Sequence, residues 1–508
     1  MNTWAHFLKN FVRNKSSECI ASSANRLRVG TGTGLELVSL EGKSKMSRNA
    51  ASVSIVRLAI CVVFGALASV SWAQNPMKSK QNPMGQYQFP KNQERPAKRK
   101  TLSLTDAIRL AEQRNGTIAA AIANYHASIE QRIESFASFL PKVTPSYQYN
   151  SDRQTFRNSG IYSAGQSEGG NSQITASWEL LDTGQREDNF LSARRNEDAQ
   201  YYNSLQTLRQ TVFNVQQQYY ETLRAEELLK VANSQVQRTK TILTQTKDSV
   251  AVGQTAKIAT LQATADYENA KVTALQSENA VTTNEATLKS LIGYPADEKL
   301  PALVKVAEPD ITNSFPSLAA FLKEGIKNRP DLKSSRLQVE ALGYSKDYLE
   351  KQAGITASLN ASYTQTITPY PLQNRLLTLL VSYPLFDGGQ SRAAVRAAKD
   401  DQISAEKTYQ QSARSARSEI ESAYLTVEQD VSQVTAANVA LTAAQANYNQ
   451  TVQSQALGSS TLIDVLTAQV SLVTAESNYI QAEYNFDEAE LSLRLATGRP
   501  LYGSPLTS

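Results

Sequence analysis

The chain has 508 residues, with 52 basic, 47 acidic, two histidine and two cysteine residues and a formal net charge of +5. The excess charge is local: residues 1–73 and 74–100 each carry about +6, leaving 101–508 at about −7. This distribution does not argue for nucleic-acid binding. Because Cys19 and Cys61 both precede residue 100, it also excludes disulfides, Cys-metal sites and Cys nucleophiles from the rest of the chain.

In chain order, residues 1–45 show no apolar core and read as a non-native N-terminal extension, with Met46 the initiator. Residues 46–73 have the order of a secretory signal peptide: Arg48 and Arg57, an apolar run from Leu58 to Val70, then Ser71-Trp72-Ala73 before Gln74. Thirteen apolar residues are too few to span a bilayer as a helix. Cys61 lies inside that run, which argues against lipid acylation there. Residues 74–100, rich in Pro, Gln and Lys, read as a disordered basic linker.

An internal duplication organises residues 101–502. ELLDTGQRE at Glu179–Glu187 is an imperfect copy of PLFDGGQSR at Pro384–Arg392, with Asp182 over Asp387 and Gly184 over Gly389, 205 positions apart. The same offset places Gly253 over Gly458 and Gly293 over Gly498. SLTDAIRLAEQRN at Ser103 matches SLAAFLKEGIKNR at Ser317 with an offset of 214. The nine extra residues of the first copy are expected in a Gly/Ser-rich loop, Ser159–Asn171. The repeats are thus 101–295 and 317–502, joined by a connection over 296–316.

Each repeat begins with a pair of predicted strands. Ile355, Ala357, Leu359, Ala361 and Tyr363 alternate with polar residues, as do Leu377, Leu379, Val381, Tyr383 and Leu385. The first repeat has Val143, Tyr147 and Tyr149, then Ile174, Ala176, Trp178 and Leu180. The strands are expected at about 141–156, 171–182, 355–368 and 375–386. Runs of about ten residues cross a bilayer when tilted, and the Tyr and Trp residues suit interfacial girdles. Four strands cannot enclose a pore, and lipid does not tolerate an open sheet edge, so the chain must oligomerise. Three copies of four strands give a barrel of about twelve.

Long helical hairpins come next, expected over about 184–292 with a tip at Gly253 and about 389–497 with a tip at Gly458. No Pro or Gly interrupts the 67 residues after Gly389. A heptad seam is predicted through Ile420, Tyr424, Val427, Val431, Val434, Asn438, Leu441, Gln445, Tyr448 and Val452, with Asn438 and its counterpart Asn233 setting register. The return helix repeats Val465, Leu472, Tyr479, Phe486 and Leu493 at sevens. At the strand–helix junctions, Gly388 and Gly389 let the backbone turn out of the sheet and Asp387 caps the helix. Asp182 and Gly184 are predicted to do the same in the first repeat.

The duplicated strand and helix hairpins, the PLFDGG junction, LGSSTLIDVLTAQVSLVTAESNYI and the closing LRLATGRP resemble the TolC family of outer-membrane efflux proteins over residues 101–502. The resemblance implies a mainly α fold with a membrane β-barrel: a homotrimer whose twelve-strand barrel continues into a periplasmic helical coiled-coil tunnel. It implies an outer-membrane location among lipid and partnership with a periplasmic adaptor (membrane fusion) protein and an inner-membrane transporter. The chain would be the exit duct for efflux or type I secretion. Adaptor docking is expected at the tips, Val252, Gly253 and Gln254, and Leu457, Gly458 and Ser459. The family's periplasmic gate maps a carboxylate onto Asp464; the second expected acidic position is Thr467 and a basic one is Ser460. Gln455 and Leu457 are the neutral gate candidates.

No enzymatic role, cofactor or metal is expected. His126, the one histidine after residue 100, has no nucleophile elbow near it. A soluble or surface coiled coil would explain the heptads but not the strands. A carboxylate-based surface hydrolase would need a paired acid site that the heptads do not supply.

Overall fold

The computed structural model describes residues 100–158, 161–253, 255–305, 316–366 and 372–501. The extension, signal peptide and linker expected before Lys100 lie outside the described residues, as does the middle of the connection between repeats, 306–315. In order, the elements are β1 (Thr101–Leu102), α1 (Leu104–Arg114), α2 (Gly116–Ala137), β2 (Lys142–Asn158), β3 (Ile161–Leu181), α3 (Gln185–Ala251) and α4 (Lys257–Ile292). Then come β4 (Ala302–Leu303), α5 (Leu318–Asn328), α6 (Pro330–Gln352), β5 (Thr356–Thr366), β6 (Leu372–Ser382), α7 (Gln390–Ala456) and α8 (Leu462–Ala496).

Capping residues set the short helices. Ser103 accepts the Asp106 N–H at 3.2 Å to open α1. Asn115 accepts the N–H groups of Thr117 and Ile118 to open α2, and its amide donates to the Leu291 carbonyl at 2.8 Å, tying α2 to the end of α4. Pro330, with φ already helical, occupies the first position of α6. α3 and α7 each run 67 residues, about 100 Å at 1.5 Å per residue. No isolated helix of this composition is stable by propensity alone, so packing must hold both.

That packing is heptad-based, but it differs from the predicted seam. On α8, Val465, Leu472, Phe486 and Leu493 are buried with Tyr479 half-buried, and Ala468, Ala475, Ala482 and Ala489 fill the alternate positions. On α7, Ile420, Val427 and Val434 are buried and Tyr424 and Val431 pack against their cluster as expected, but Ala416, Ala423, Asp430, Ala437 and Ala444 share the contact. Asn438, Gln445 and Val452 are exposed. Asn233 is also exposed, beside buried Ala232. The register-setting role expected for the two asparagines is therefore incorrect within the chain. The small residues let the helices approach closely, so the seam follows alanine and not bulk. Each large side chain buried this way is worth about 1.5–3 kcal/mol.

Two apolar clusters anchor the helices. One joins α1, α2 and the end of α4 to α3 and α8 through Ile108, Ile122, Val212, Tyr219, Leu288 and Leu491. The other joins Phe321 of α5 to α7 and α8. Tyr219 lies in the first cluster, and its hydroxyl sits 2.9 Å from the Leu102 carbonyl and 2.8 Å from the Val304 carbonyl while accepting the Val304 N–H. It thereby pins the parallel pair β1–β4, a pairing between residues about 200 positions apart that no periodicity announces.

The main sheet is antiparallel in the order β2-β3-β5-β6. Register aligns Trp178, Leu359 and Leu379 across three strands, and Val143, Ala176, Ala361 and Leu377 across four. Directly paired residues share a face, so one face is apolar. The opposite face carries Ser177, Asn360 and Thr378, and Gln173, Thr364 and Asn374, with Leu376 and Leu380 as exceptions. A register shift between Glu179 and Leu181 leaves Leu180 in a bulge. β2 and β6 each keep one edge unpaired among the described residues.

The sequence places a Gly/Ser-rich loop at 159–171, and this is corrected. β3 begins at Ile161 and pairs back on β2 as far as Asn158↔Ile161. Backbone pairing propagates from the amphipathic part of the hairpin without needing side-chain alternation. The turn predicted between the second pair of strands, 367–371, lies outside the described residues.

Candidate functional site: hairpin tips and strand–helix junctions

The two strand–helix junctions are built alike. Asp387 accepts the Gly389 N–H at 2.9 Å and the Ser391 N–H at 2.8 Å; Asp182 accepts the Gly184 and Arg186 N–H groups at 3.2 and 2.9 Å. Each carboxylate thus satisfies donors that the helix start leaves free. Gly388 and Gly389 have φ of 69° and 90°, a region disfavoured for side-chain-bearing residues. The counterpart of Gly388 is Thr183, which holds φ 55° while its hydroxyl lies 2.8 Å from the Lys351 carbonyl.

The copies differ in support. Asp387 is exposed, and the Ser391 hydroxyl and the two N–H groups hold its carboxyl down at about 2. Asp182 is 7% exposed and also takes the Arg186 guanidinium at 2.7 Å, which in turn covers the Phe139 ring. Burial pushes Asp182 up, but the Arg186 bonds outweigh it and the net shift is downward. Lys351 of α6 closes the first junction by an ion pair with buried Asp188 at 2.6 Å. We predict that Asp182→Ala costs about 1–3 kcal/mol in thermal or denaturant unfolding and that Asp387→Ala costs less. Both carboxylates sit below their unfolded values. Their stabilisation is therefore full above about pH 4 and is lost as pH falls through the folded values. Equal losses in the two variants would contradict this account.

At the tips, α3 ends at Val252 and Gly253, and α7 at Leu457 and Gly458. Both glycines have φ 77°, and apart from the adjoining chain nothing among the described residues comes within 4 Å of where a Cβ would stand. After α7 the Gly458 N–H donates to the Gln455 carbonyl and the Ser459 N–H to the Ser454 carbonyl, a paired helix stop. Val252 and Leu457 are 68% and 85% exposed, while Gln455 is half-buried. Gln254 lies outside the described residues.

Asp464 stands at the third position of α8, exposed. Its carboxylate accepts the Thr461 N–H at 2.8 Å and the Thr461 hydroxyl at 2.7 Å, while the Thr461 hydroxyl accepts the Asp464 N–H. These bonds hold the carboxyl below its ordinary value. The residue is therefore half of a capping box as well as a charge near the tip. The matched start of α4 has Ala256 and Ala259 and no side-chain cap.

The tips are linked through residues that heptads do not reveal. Arg238 of α3 makes two bonds to Glu476 of α8, 3.2 and 2.8 Å, joining one hairpin to the other. Between the hairpins runs a cavity of about 620 Å³, walled by Gln235 and Asn269 on one side and by Ile463 and Thr467 on the other. Gln469, 2% exposed, faces it with an oxygen lacking any partner among the described residues. Higher on the α3–α8 contact, burial and nearby Glu483 push Asp487 up to about 7, against the pull of Lys305.

Among the described residues no helix is long and apolar enough to cross a membrane, which says nothing of a β-barrel. The outer membrane efflux protein family matches residues 107–294 and 322–499. The chain is 22% identical to outer membrane protein TolC of Vibrio cholerae serotype O1 over 425 residues, covering 82% of this chain and 88% of that one. It is 24% identical to outer membrane efflux protein BepC of Brucella suis biovar 1 over 408 residues, covering 78% and 85%. Its fold is similar to that of the Campylobacter jejuni CmeC outer membrane channel, with a TM-score of 0.65, 18% identity, and coverage of 78% and 85%. With the family matched over these two stretches, which together make up most of the chain, the chain belongs to the outer membrane efflux proteins.

Proposed function

We propose that this chain is the outer-membrane exit duct of a tripartite efflux or type I secretion system. It passes substrates received from an inner-membrane transporter and a periplasmic adaptor to the exterior. One observation carries the reading: a four-stranded sheet with one apolar face and two unpaired edges runs, through tight capped turns, into helices of 67 residues. Edges of this kind are not tolerated in lipid, so three copies closing a twelve-strand barrel satisfy every strand. The apolar face then meets lipid and the polar face lines the pore, and the helices form a periplasmic tunnel. The matched 67-residue helices and equal glycine geometries support an internal duplication, with one adaptor-docking tip from each repeat. The names of the relatives, outer membrane and efflux proteins, point the same way.

In this reading Asp464 contributes three carboxylates around the tunnel entrance, with Gln455 and Leu457 forming its neutral constriction. A ring of carboxylates favours cations in a pore. Two variants separate charge from capping. Asp464→Asn removes the charge but keeps an acceptor for Thr461; Asp464→Ala removes both. In planar-bilayer recordings both should lose cation selectivity and block by multivalent cations, by severalfold, whereas only Asp464→Ala should loosen the tip to proteolysis. The Thr461 bonds favour the ionised carboxyl while repulsion within the ring opposes it, so selectivity of the unmodified channel should be full at neutral pH and fade as acid protonates the ring. Unchanged selectivity in Asp464→Asn would reduce the residue to its cap.

A further inference from the structure

A second cavity, about 410 Å³, opens where α5 gives way to α6, far in sequence from either tip. Its floor is buried Leu332 and Leu337, and its walls include Tyr202 of α3 and Tyr409 of α7. Four cations surround it: Arg195, Lys327, Lys333 and Arg336, against one lining carboxylate, Asp198. Arg195 is engaged by Asp198 at 3.5 Å and Glu340 at 3.2 Å, and Arg336 reaches the same Glu340 at 3.8 Å. Lys327 and Lys333 have no acidic partner among the described residues. Lys333 instead lies over the Tyr202 ring, 5.5 Å from its centre. Like charges held this close repel unless an anion neutralises them. Burial first, and then Lys327 and Arg336, hold the Lys333 ammonium below its ordinary pKa.

The fold does not require these cations. Two hundred and fourteen positions earlier, at the corresponding places on α1 and α2, stand Gln113, Ala119 and Ile122 in place of Lys327, Lys333 and Arg336. Ile122 is buried in the apolar cluster there. At these three places the first helix pair thus carries no charge, whereas the second carries three cations around an aromatic and aliphatic pocket. The geometry points to a binding site for a small oxyanion, a phosphate or carboxylate, borne on a planar or aromatic body. Lys327, Lys333 and Arg336 would take the anion by charge-assisted bonds. Tyr202, Tyr409 and the leucine floor would take the body.

The full-length protein in detergent can be titrated calorimetrically with phenyl phosphate and with benzoate, which separate the two oxyanions, and with inorganic phosphate and phenol as half-probes. Phenyl phosphate or benzoate should saturate at one per chain, inorganic phosphate should bind at least about tenfold more weakly, and phenol should not bind. Lys327→Ala with Lys333→Ala should weaken the better probe by about tenfold or more. Tyr409→Ala should erase its advantage over inorganic phosphate. Lys323→Ala, on the exposed side of α5, should change nothing. Arg336→Gln, at an exposed position where a folding defect is not expected, should give an intermediate loss. Absence of saturable binding by either probe, or full binding in the double lysine variant, would overturn the assignment.

Discussion

Leu379→Arg should prevent assembly in the outer membrane, while Thr378→Arg, one residue away, should leave it intact. The two positions are neighbours on β6 and point to opposite faces. Leu379 lies in register with Leu359 and, beyond it, Trp178, in the middle of the apolar face. Thr378 pairs with Asn360, which pairs with Ser177. On the lipid side of a barrel, an arginine near the midplane costs about 2–4 kcal/mol; on the lumen side it stays hydrated. In the proposed three-copy barrel three such charges add together, so the total penalty is comparable to the entire stability of a typical domain. The check is the yield of heat-modifiable oligomer in outer-membrane fractions. If both variants assemble equally, the apolar face does not face lipid.

The second large effect is expected at a tip. Gly458→Trp and Gly253→Trp place a bulky ring on turns whose surroundings are empty, so steric damage inside the chain is small. The cost is local: φ 77° disfavours any residue with a Cβ, by about 1–2 kcal/mol. A partner approaching the bare backbone would meet an indole. Export should therefore fall by tenfold or more while oligomer yield and heat stability change little. If the turns serve only folding, the oligomer itself is lost. If export is normal in both variants, the adaptor docks elsewhere.

Much of this architecture was legible from period and punctuation. Alternation at Leu377, Leu379 and Val381 marks a strand because the pleat has a period of two, and the Pro- and Gly-free run after Gly389 marks an uninterrupted helix. Gly253 and Gly458 stand where the helices stop because positive φ admits little else. What failed to show has equally physical reasons. Ala437 and Ala444 face the partner helix, whereas the alternating 4-3 spacing points to Asn438 and Gln445, which are exposed. The far half of the β2–β3 hairpin is paired by backbone alone and leaves no side-chain pattern. The bond between Arg238 and Glu476 joins residues 238 positions apart, and no local signal foretells it. Family resemblance points to Asp464 as a gate charge; its bond to Thr461 shows that the same T-x-x-D spacing also makes a capping box.

The central claim, that separate copies close one barrel edge to edge, is tested most directly by disulfide trapping. Residues 101–508 hold no cysteine, so a Cys19→Ser, Cys61→Ser background is clean. Thr144→Cys on the free edge of β2 is combined in turn with Asn374→Cys, Leu376→Cys, Thr378→Cys and Leu380→Cys on the free edge of β6. Within one chain two strands separate these edges, about 14 Å, beyond the reach of a disulfide. At the matching register, oxidised membranes should yield covalent species of two and three chains and nothing larger. Absence of cross-linking at every register, or a ladder continuing past three, would contradict a closed three-chain barrel.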